Sequence, residues 1–179
     1  NEGSIETNVT FNDTTNNNAH IYPIIATFND NSSNNSTVES SATTTFNGGS
    51  SNAGAATVTN NAEFHATSTN GGAIGGNAIF YEDSTTNSAG QQIGGIASFF
   101  GNASCNDTQL FDDANFYGNS SVICPVFGTA TFYEDDSDVT YYAGDDSSMQ
   151  IKIRKYTSDA TTTRNFLAAV STPWTIVAD

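Results

Sequence analysis

The stretch Val58-Thr-Asn-Asn-Ala62-Glu-Phe64-His-Ala-Thr-Ser-Thr-Asn70-Gly-Gly-Ala-Ile74, continued by Gly-Gly-Asn-Ala78-Ile-Phe80, holds one whole copy of a unit and the start of the next. The unit is an aliphatic residue, an Ala four positions on and a Phe two positions after that. Val58, Ala62 and Phe64 form one copy, and Ile74, Ala78 and Phe80 the next. A short fixed period decides the architecture before any single helix or strand is assigned.

Working outward, the phenylalanine recurs at Phe11, Phe28, Phe46, Phe64, Phe80, Phe99, Phe116 and Phe132, in steps of 16–19 residues. Two positions earlier stand Val9, Ala26, Thr44, Ala62, Ala78, Ala97, Ala114 and Ala130. Four before those stand Ile5, Tyr22, Ser40, Val58, Ile74, Ile93, Leu110 and Val126. Within a copy the pattern has period two, as in Ile74, Gly76, Ala78 and Phe80, which puts these residues on one face of an extended strand.

Six or seven residues after each Phe comes an Asn: Asn17, Asn34, Asn52, Asn70, Asn87 and Asn106. Serines cluster just before it, at Ser33, Ser51, Ser68, Ser84 and Ser104. Asn and Ser favour turns, so the chain turns one corner per copy. These regularities predict an all-β chain, a β-solenoid of about eight coils stacked at roughly 4.8 Å. Phe would stack on Phe inside and Asn on Asn at the corner. The competing architecture is a β-sandwich of hairpins, in which successive strands would alternate in direction. A longer regularity, Asn-Asp-Asn after Phe28 and Tyr-Glu-Asp after Phe80 and Phe132, suggests a duplicated three-coil block.

The 179 residues fit one domain, divided by pattern into solenoid repeats over 1–139 and a cap or inter-subunit joint over 140–179. Only 13% of residues are charged, with 19 acids against 4 Lys+Arg and a formal net charge of −15. That balance excludes a nucleic-acid partner, whose phosphates need a basic face. The polar bias alone would suit disorder, but a disordered chain has no reason to keep Phe in register. No apolar run is long enough for membrane insertion as a helix. The chain begins without Met, as expected of a processed form or a fragment, and shows no signal peptide.

Cys105 and Cys124 fall one coil apart near the same corner, so a disulfide between adjacent coils is expected, against the alternative of two free thiols. A disulfide would place the chain in an oxidising compartment. Candidate glycosylation acceptors are Asn8, Asn12, Asn31, Asn35, Asn102 and Asn119. Asn34 and Asn106 also begin sequons, but a ladder role there competes with modification.

All four basic residues lie late in the chain, and the strand Met149–Tyr156 alternates strictly. Lys152, Arg154, Lys155 and Trp174 are the candidate assembly joint, a basic strand reaching the acidic coil of a neighbour; the alternative is a cap over the chain's own last coil.

His20 and His65 stand in different coils, and neither catalytic nor metal-ligand residues converge, so no cofactor and no enzyme activity are expected. The acidic turns at Asp30, Glu82 and Glu134 are three coils apart, roughly 14 Å at the strand spacing, too far to cooperate in glycoside cleavage or calcium binding. The outward slot holds Thr27, Thr45, Glu63, Ile79, Ser98, Asn115 and Thr131, too broken an array for ice binding.

The runs Ala26-Thr-Phe28-Asn-Asp and Ala78-Ile-Phe80-Tyr-Glu-Asp resemble repeats of β-solenoid surface proteins, found in bacterial and archaeal cell-surface or filament proteins and in virus tail appendages. The resemblance covers residues 5–139 and is to a repeat class. It implies an extracellular location, at a cell surface or on a virion, and carries no active-site residues across. The expected function is a non-enzymatic structural segment of a fibre or appendage that self-associates. The alternative is an adhesin module gripping glycans or a receptor through the aromatics Tyr81, Phe100, Tyr117 and Tyr133, a stripe that could equally pack between neighbouring rods. A polysaccharide-cleaving enzyme would need loop insertions for which the even steps leave no room.

Overall fold

The computed structural model describes residues 7–87, 89–106, 108–118, 120–124, 126–134, 140–142, 150–155, 165–167 and 176–178. The described strands form three parallel sheets. Sheet A contains Val9–Phe11, Ala26–Phe28, Thr44–Phe46, Ala62–Phe64, Ala78–Phe80, Ala97–Phe99, Ala114–Tyr117, Thr129–Glu134, Gln150–Lys155 and Ile176–Ala178, stacked in that order. Sheet B runs from Asn16–Asn17 to Asn165–Leu167 in nine strands, and sheet C from Thr37–Val38 to Gln109–Leu110 in five. Strands that follow one another along the chain lie in different sheets, and each pairs with its counterpart one coil away. A sandwich of hairpins needs antiparallel neighbours; the described pairs are parallel. The chain is a β-solenoid.

The register keeps like on like: Ala78 opposes Ala62 and Ala97, and Phe80 opposes Phe64 and Phe99. From Phe11 to Phe116 the rings form one column with centroids 4.6–5.1 Å apart and planes within 12° of parallel. Phe28, Phe46, Phe64, Phe80 and Phe99 are wholly buried, while Phe11 at the first coil is partly covered. Phe132 continues the backbone register opposite Phe116. The core is thus narrow, and each coil completes its neighbour's burial, the usual economy of a solenoid.

The aliphatic column corrects two sequence assignments. Its first described members are Ile21 and Val38, bridged to each other, with Val38 opposite Val58, and Ile5 lies outside the described residues. Tyr22 instead points out, 39% exposed, and Ser40 is a buried hydroxyl bonded to Thr44 Oγ1 at 3.0 Å. Ile21 precedes Phe28 by seven residues and Val38 precedes Phe46 by eight, whereas Val58 precedes Phe64 by six. The corner between sheets C and A absorbs the extra residues.

The corner after each Phe from Phe11 to Phe116 is uniform, because the chain turns there with a left-handed residue two positions past the ring. Asp13, Asp30, Gly48, Ala66, Glu82, Gly101 and Gly118 all have φ between 57° and 70°. The turn closes by a backbone bond, as from Ser68 N to His65 O at 3.2 Å. The acidic members have a use here: Glu82 Oε2 accepts from the N–H of Ala66 one coil earlier at 2.7 Å, and Asp30 Oδ2 from that of Asp13 at 3.3 Å. The three-coil recurrence of acids therefore marks carboxylates that cap left-handed turns, at least for Asp30 and Glu82. Ala66 lacks a glycine's freedom at φ 57°. Left-handed backbone costs an L-residue about 1–2 kcal/mol and a new Gly loses about 0.5–1 in chain entropy, so Ala66→Gly should stabilise by about 0.5–1 kcal/mol, read as a shift in urea midpoint.

The serines separate into two columns. Ser32, Ser50, Ser68, Ser84 and Ser120 are buried, joined by Ala103 in the equivalent place, whereas Ser33, Ser51 and Ser104 lie on the half-buried outer side of sheet B. The hydroxyls of Ser50, Ser68 and Ser84 have no hydrogen-bond partner among the described residues. Ala103 shows that a methyl suffices, so Ser68→Ala is expected to be neutral or stabilising by about 1 kcal/mol in thermal denaturation, since a buried unpaired hydroxyl costs of that order.

The strands after residue 139 extend the existing sheets. Ile151 opposes Ala130, Ile153 opposes Phe132, and Ile176 and Ala178 oppose Ile151 and Ile153 in turn. Sheet A therefore has ten strands where eight coils were expected. The strand bearing Lys152, Arg154 and Lys155 pairs along both of its edges within this chain. Trp174 lies outside the described residues.

Candidate functional site

Two columns of side chains distinguish this rod from a bare scaffold, one inside and one outside. The inner column sits six residues after each Phe, at the end of the left-handed turn. Asn17 Nδ2 donates to Asn34 Oδ1 at 2.8 Å, Asn34 Nδ2 to Asn52 Oδ1 at 2.9 Å, and Asn52 Nδ2 to Asn70 Oδ1 at 2.8 Å. All four amides are buried, and the bonds run in one direction along the axis. Gly72 is required beside them, because a Cβ there would sit 2.6 Å from Asn52 Nδ2.

The ladder then changes chemistry. Asn70 Nδ2 donates to Thr86 Oγ1 at 3.2 Å, and Thr86 bonds the buried Thr108 hydroxyl at 2.8 Å. The next inner residue is Cys105, opposite Thr86, and Val122 opposes Cys105 in the backbone register. Asn87 and Asn106 are therefore not rungs: they oppose each other one position further along, Asn87 exposed and Asn106 half-buried. A one-residue slip in a strand exchanges its faces, and these two asparagines lie on the outer one. The missed rungs were legible, because the inner residue stays six after Phe in every coil, at Asn17, Asn34, Asn52, Asn70, Thr86 and Cys105.

Cys105 and Cys124 form a disulfide, with Cα atoms 5.9 Å apart and both side chains buried. It covalently ties coils just beyond the point where the amide ladder ends. Closing a loop across 19 residues of sequence contributes about 3 kcal/mol in the chain-entropy account.

The outer column is the residue directly after each Phe. It begins as a second amide ladder, Asn29 Nδ2 donating to Asn12 Oδ1 at 2.8 Å and Asn47 Nδ2 to Asn29 Oδ1 at 2.9 Å. It continues as a ring stack: His65 on Tyr81 at 4.7 Å, Tyr81 on Phe100 at 5.3 Å, and Phe100 on Tyr117 at 4.3 Å. The sequence showed Tyr81, Phe100, Tyr117 and Tyr133 as a stripe, the last opposite Tyr117 in the backbone register, but missed His65 as its first ring. The rings stack face to face, so each covers its neighbour and presents its edge outward. A sugar stacked on an aromatic needs a free ring face.

Elsewhere, His20 Nε2 lies 2.8 Å from Glu39 Oε1 and its ring stacks on Tyr22, while His65 Nε2 is 3.5 Å from Glu63 Oε2. Among the described residues no group of three His, Cys, Asp or Glu side chains converges as a metal site would. Of the candidate glycosylation acceptors, Asn8, Asn12, Asn31, Asn35 and Asn102 are exposed. Asn119 lies outside the described residues, and Asn34 is buried in the ladder and closed to modification. No described helix is long and apolar enough to cross a membrane.

No family model, curated protein or solved structure matches this chain. Its class therefore rests on its own coils, and they make it a parallel β-solenoid built on repeats of about 17 residues.

Proposed function

We propose that this chain is a non-enzymatic structural element of an extracellular fibre or surface appendage. The observation that supports this most is the continuity of sheet A, whose ten parallel strands stack from Val9–Phe11 to Ile176–Ala178. From Phe11 to Phe116 the inward positions go to columns of Phe, small and aliphatic side chains, with an Asn column from Asn17 to Asn70. Such a chain sets its side chains to holding a straight axis. The disulfide suits an oxidising compartment, and a thinly charged acidic surface without Lys or Arg before Lys152 suits an exposed element that does not attract polyanions. The stacked rings count against a sugar-gripping stripe, because their faces are spent on one another.

Negative-stain electron microscopy of the purified chain tests this. Rods, or fibres whose subunits share one long axis, are the expected result. Compact isolated particles that hydrolyse members of a polysaccharide panel would overturn it.

A further inference from the structure

We propose that the outer face of sheet A is a lateral docking surface for the same face of a second copy of this chain. The inference rests on the structural role proposed above and names the partner of that role.

The face combines the ring stack from His65 to Tyr117 with two aliphatic side chains, Ile79, half-buried beside Tyr81, and Ile96, 40% exposed. Toward the N-terminus, past Glu63, the same columns turn mainly to Thr and Asn, so the surface grades from apolar to polar. Because the rings show their edges, the surface is a flat ribbon ribbed at the strand spacing of about 4.8 Å. The complement to such ribs is another ladder with the same spacing, laid face to face at about 10 Å, as in paired sheets with dry interfaces. A second copy supplies that spacing by construction, and a two-fold axis makes the contact self-complementary.

The chain carries a net charge of −15, so two copies pair at lower cost on a face that holds few carboxylates. Across this face up to Asn115, Glu63 lies 3.5 Å from the His65 ring, and Asp113 accepts the Thr129 N–H at 2.8 Å. Asp13, Asp30, Glu82 and Asp83 sit instead at the left-handed corner, where side-by-side copies would bring like charges together. The usable face is about 30 Å by 15 Å, or roughly 900 Å² buried over two copies, which belongs to the weak, reversible class of interfaces.

Sedimentation equilibrium from about 1 µM to 1 mM tests this. The average mass should rise from 18.8 kDa toward twice that value, and added salt should strengthen the pairing by screening repulsion. Ile96→Glu, at an exposed position that leaves the core untouched, should weaken association tenfold or more, and Ile79→Glu should do the same. A spin label at Ser98, in the middle of the face, should report a partner label within about 20 Å, whereas one at Ser33 on sheet B should not. A chain that stays monomeric throughout, variants that associate as the parent does, or labels that couple through sheet B would each overturn the proposal. Rods that join only end to end would do so too, while leaving the structural role intact.

Discussion

Phe80→Ala is expected to destabilise the chain by about 3–5 kcal/mol, the range for emptying a large buried aromatic site. Phe80 is wholly buried and stacks on Phe64 and on Phe99, each at 4.8 Å, so truncation removes two ring contacts as well as the ring's own burial. Aromatic pairs contribute about 0.5–1.5 kcal/mol each beyond area, which puts the loss toward the upper end of that range. The position adds a second effect. In a one-dimensional stack, coils are coupled to their neighbours alone, and a gap in the middle uncouples the two halves. Chemical denaturation followed by circular dichroism should therefore show a lower midpoint and a broader, less cooperative transition. Tyr81→Ala, one residue away on the outer stack, should cost much less, because its ring is only half covered.

Asn52→Ala is expected to cost about 2–4 kcal/mol, because it strands one buried partner and takes a hydrogen bond from a second. Asn34 Nδ2 loses its acceptor at 2.9 Å, and Asn70 Oδ1 loses its donor at 2.8 Å and keeps only the Gly72 N–H at 3.3 Å; neither amide reaches water. Asn87→Ala is the internal control. Asn87 lies on the outside of sheet B, and its substitution should change the urea midpoint by less than about 0.5 kcal/mol. A ladder that ran through Asn87, as the spacing of asparagines alone suggests, would make the two substitutions equally costly.

The columns that sequence reveals are those in which a scarce residue holds a fixed offset. Phe is bulky and uncommon in a chain rich in Asn, Ser and Thr, so its recurrence shows the coil, the inward face and the register at once. Asn is abundant on both faces, so its identity says little and its spacing everything. Allowing six or seven residues after Phe admitted Asn87 and Asn106, whereas the left-handed turn has one length and fixes six. On the other side of the strand the corner accepts insertions, so counting back from Phe gave Tyr22 and Ser40 where the chain places Ile21 and Val38. Beyond Phe132 the backbone register of sheet A sets Ile151 opposite Ala130 and Ile153 opposite Phe132, in a strand that alternates without the Ala-x-Phe signature. The strand was legible there but its membership of the solenoid was not. The ring stack from His65 to Tyr117 was half legible, since a histidine does not announce itself as a stacking partner until the register brings it over Tyr81.

The central claim is that successive coils lie directly over one another, like on like. Nuclear Overhauser contacts between ring protons, measured in protein with selectively labelled phenylalanine, address it most directly. The account predicts strong contacts of Phe80 with Phe64 and with Phe99, and slowly exchanging side-chain amide protons at Asn34 and Asn52. Phenylalanine rings that show no mutual contacts and are accessible to a soluble paramagnetic probe would contradict it.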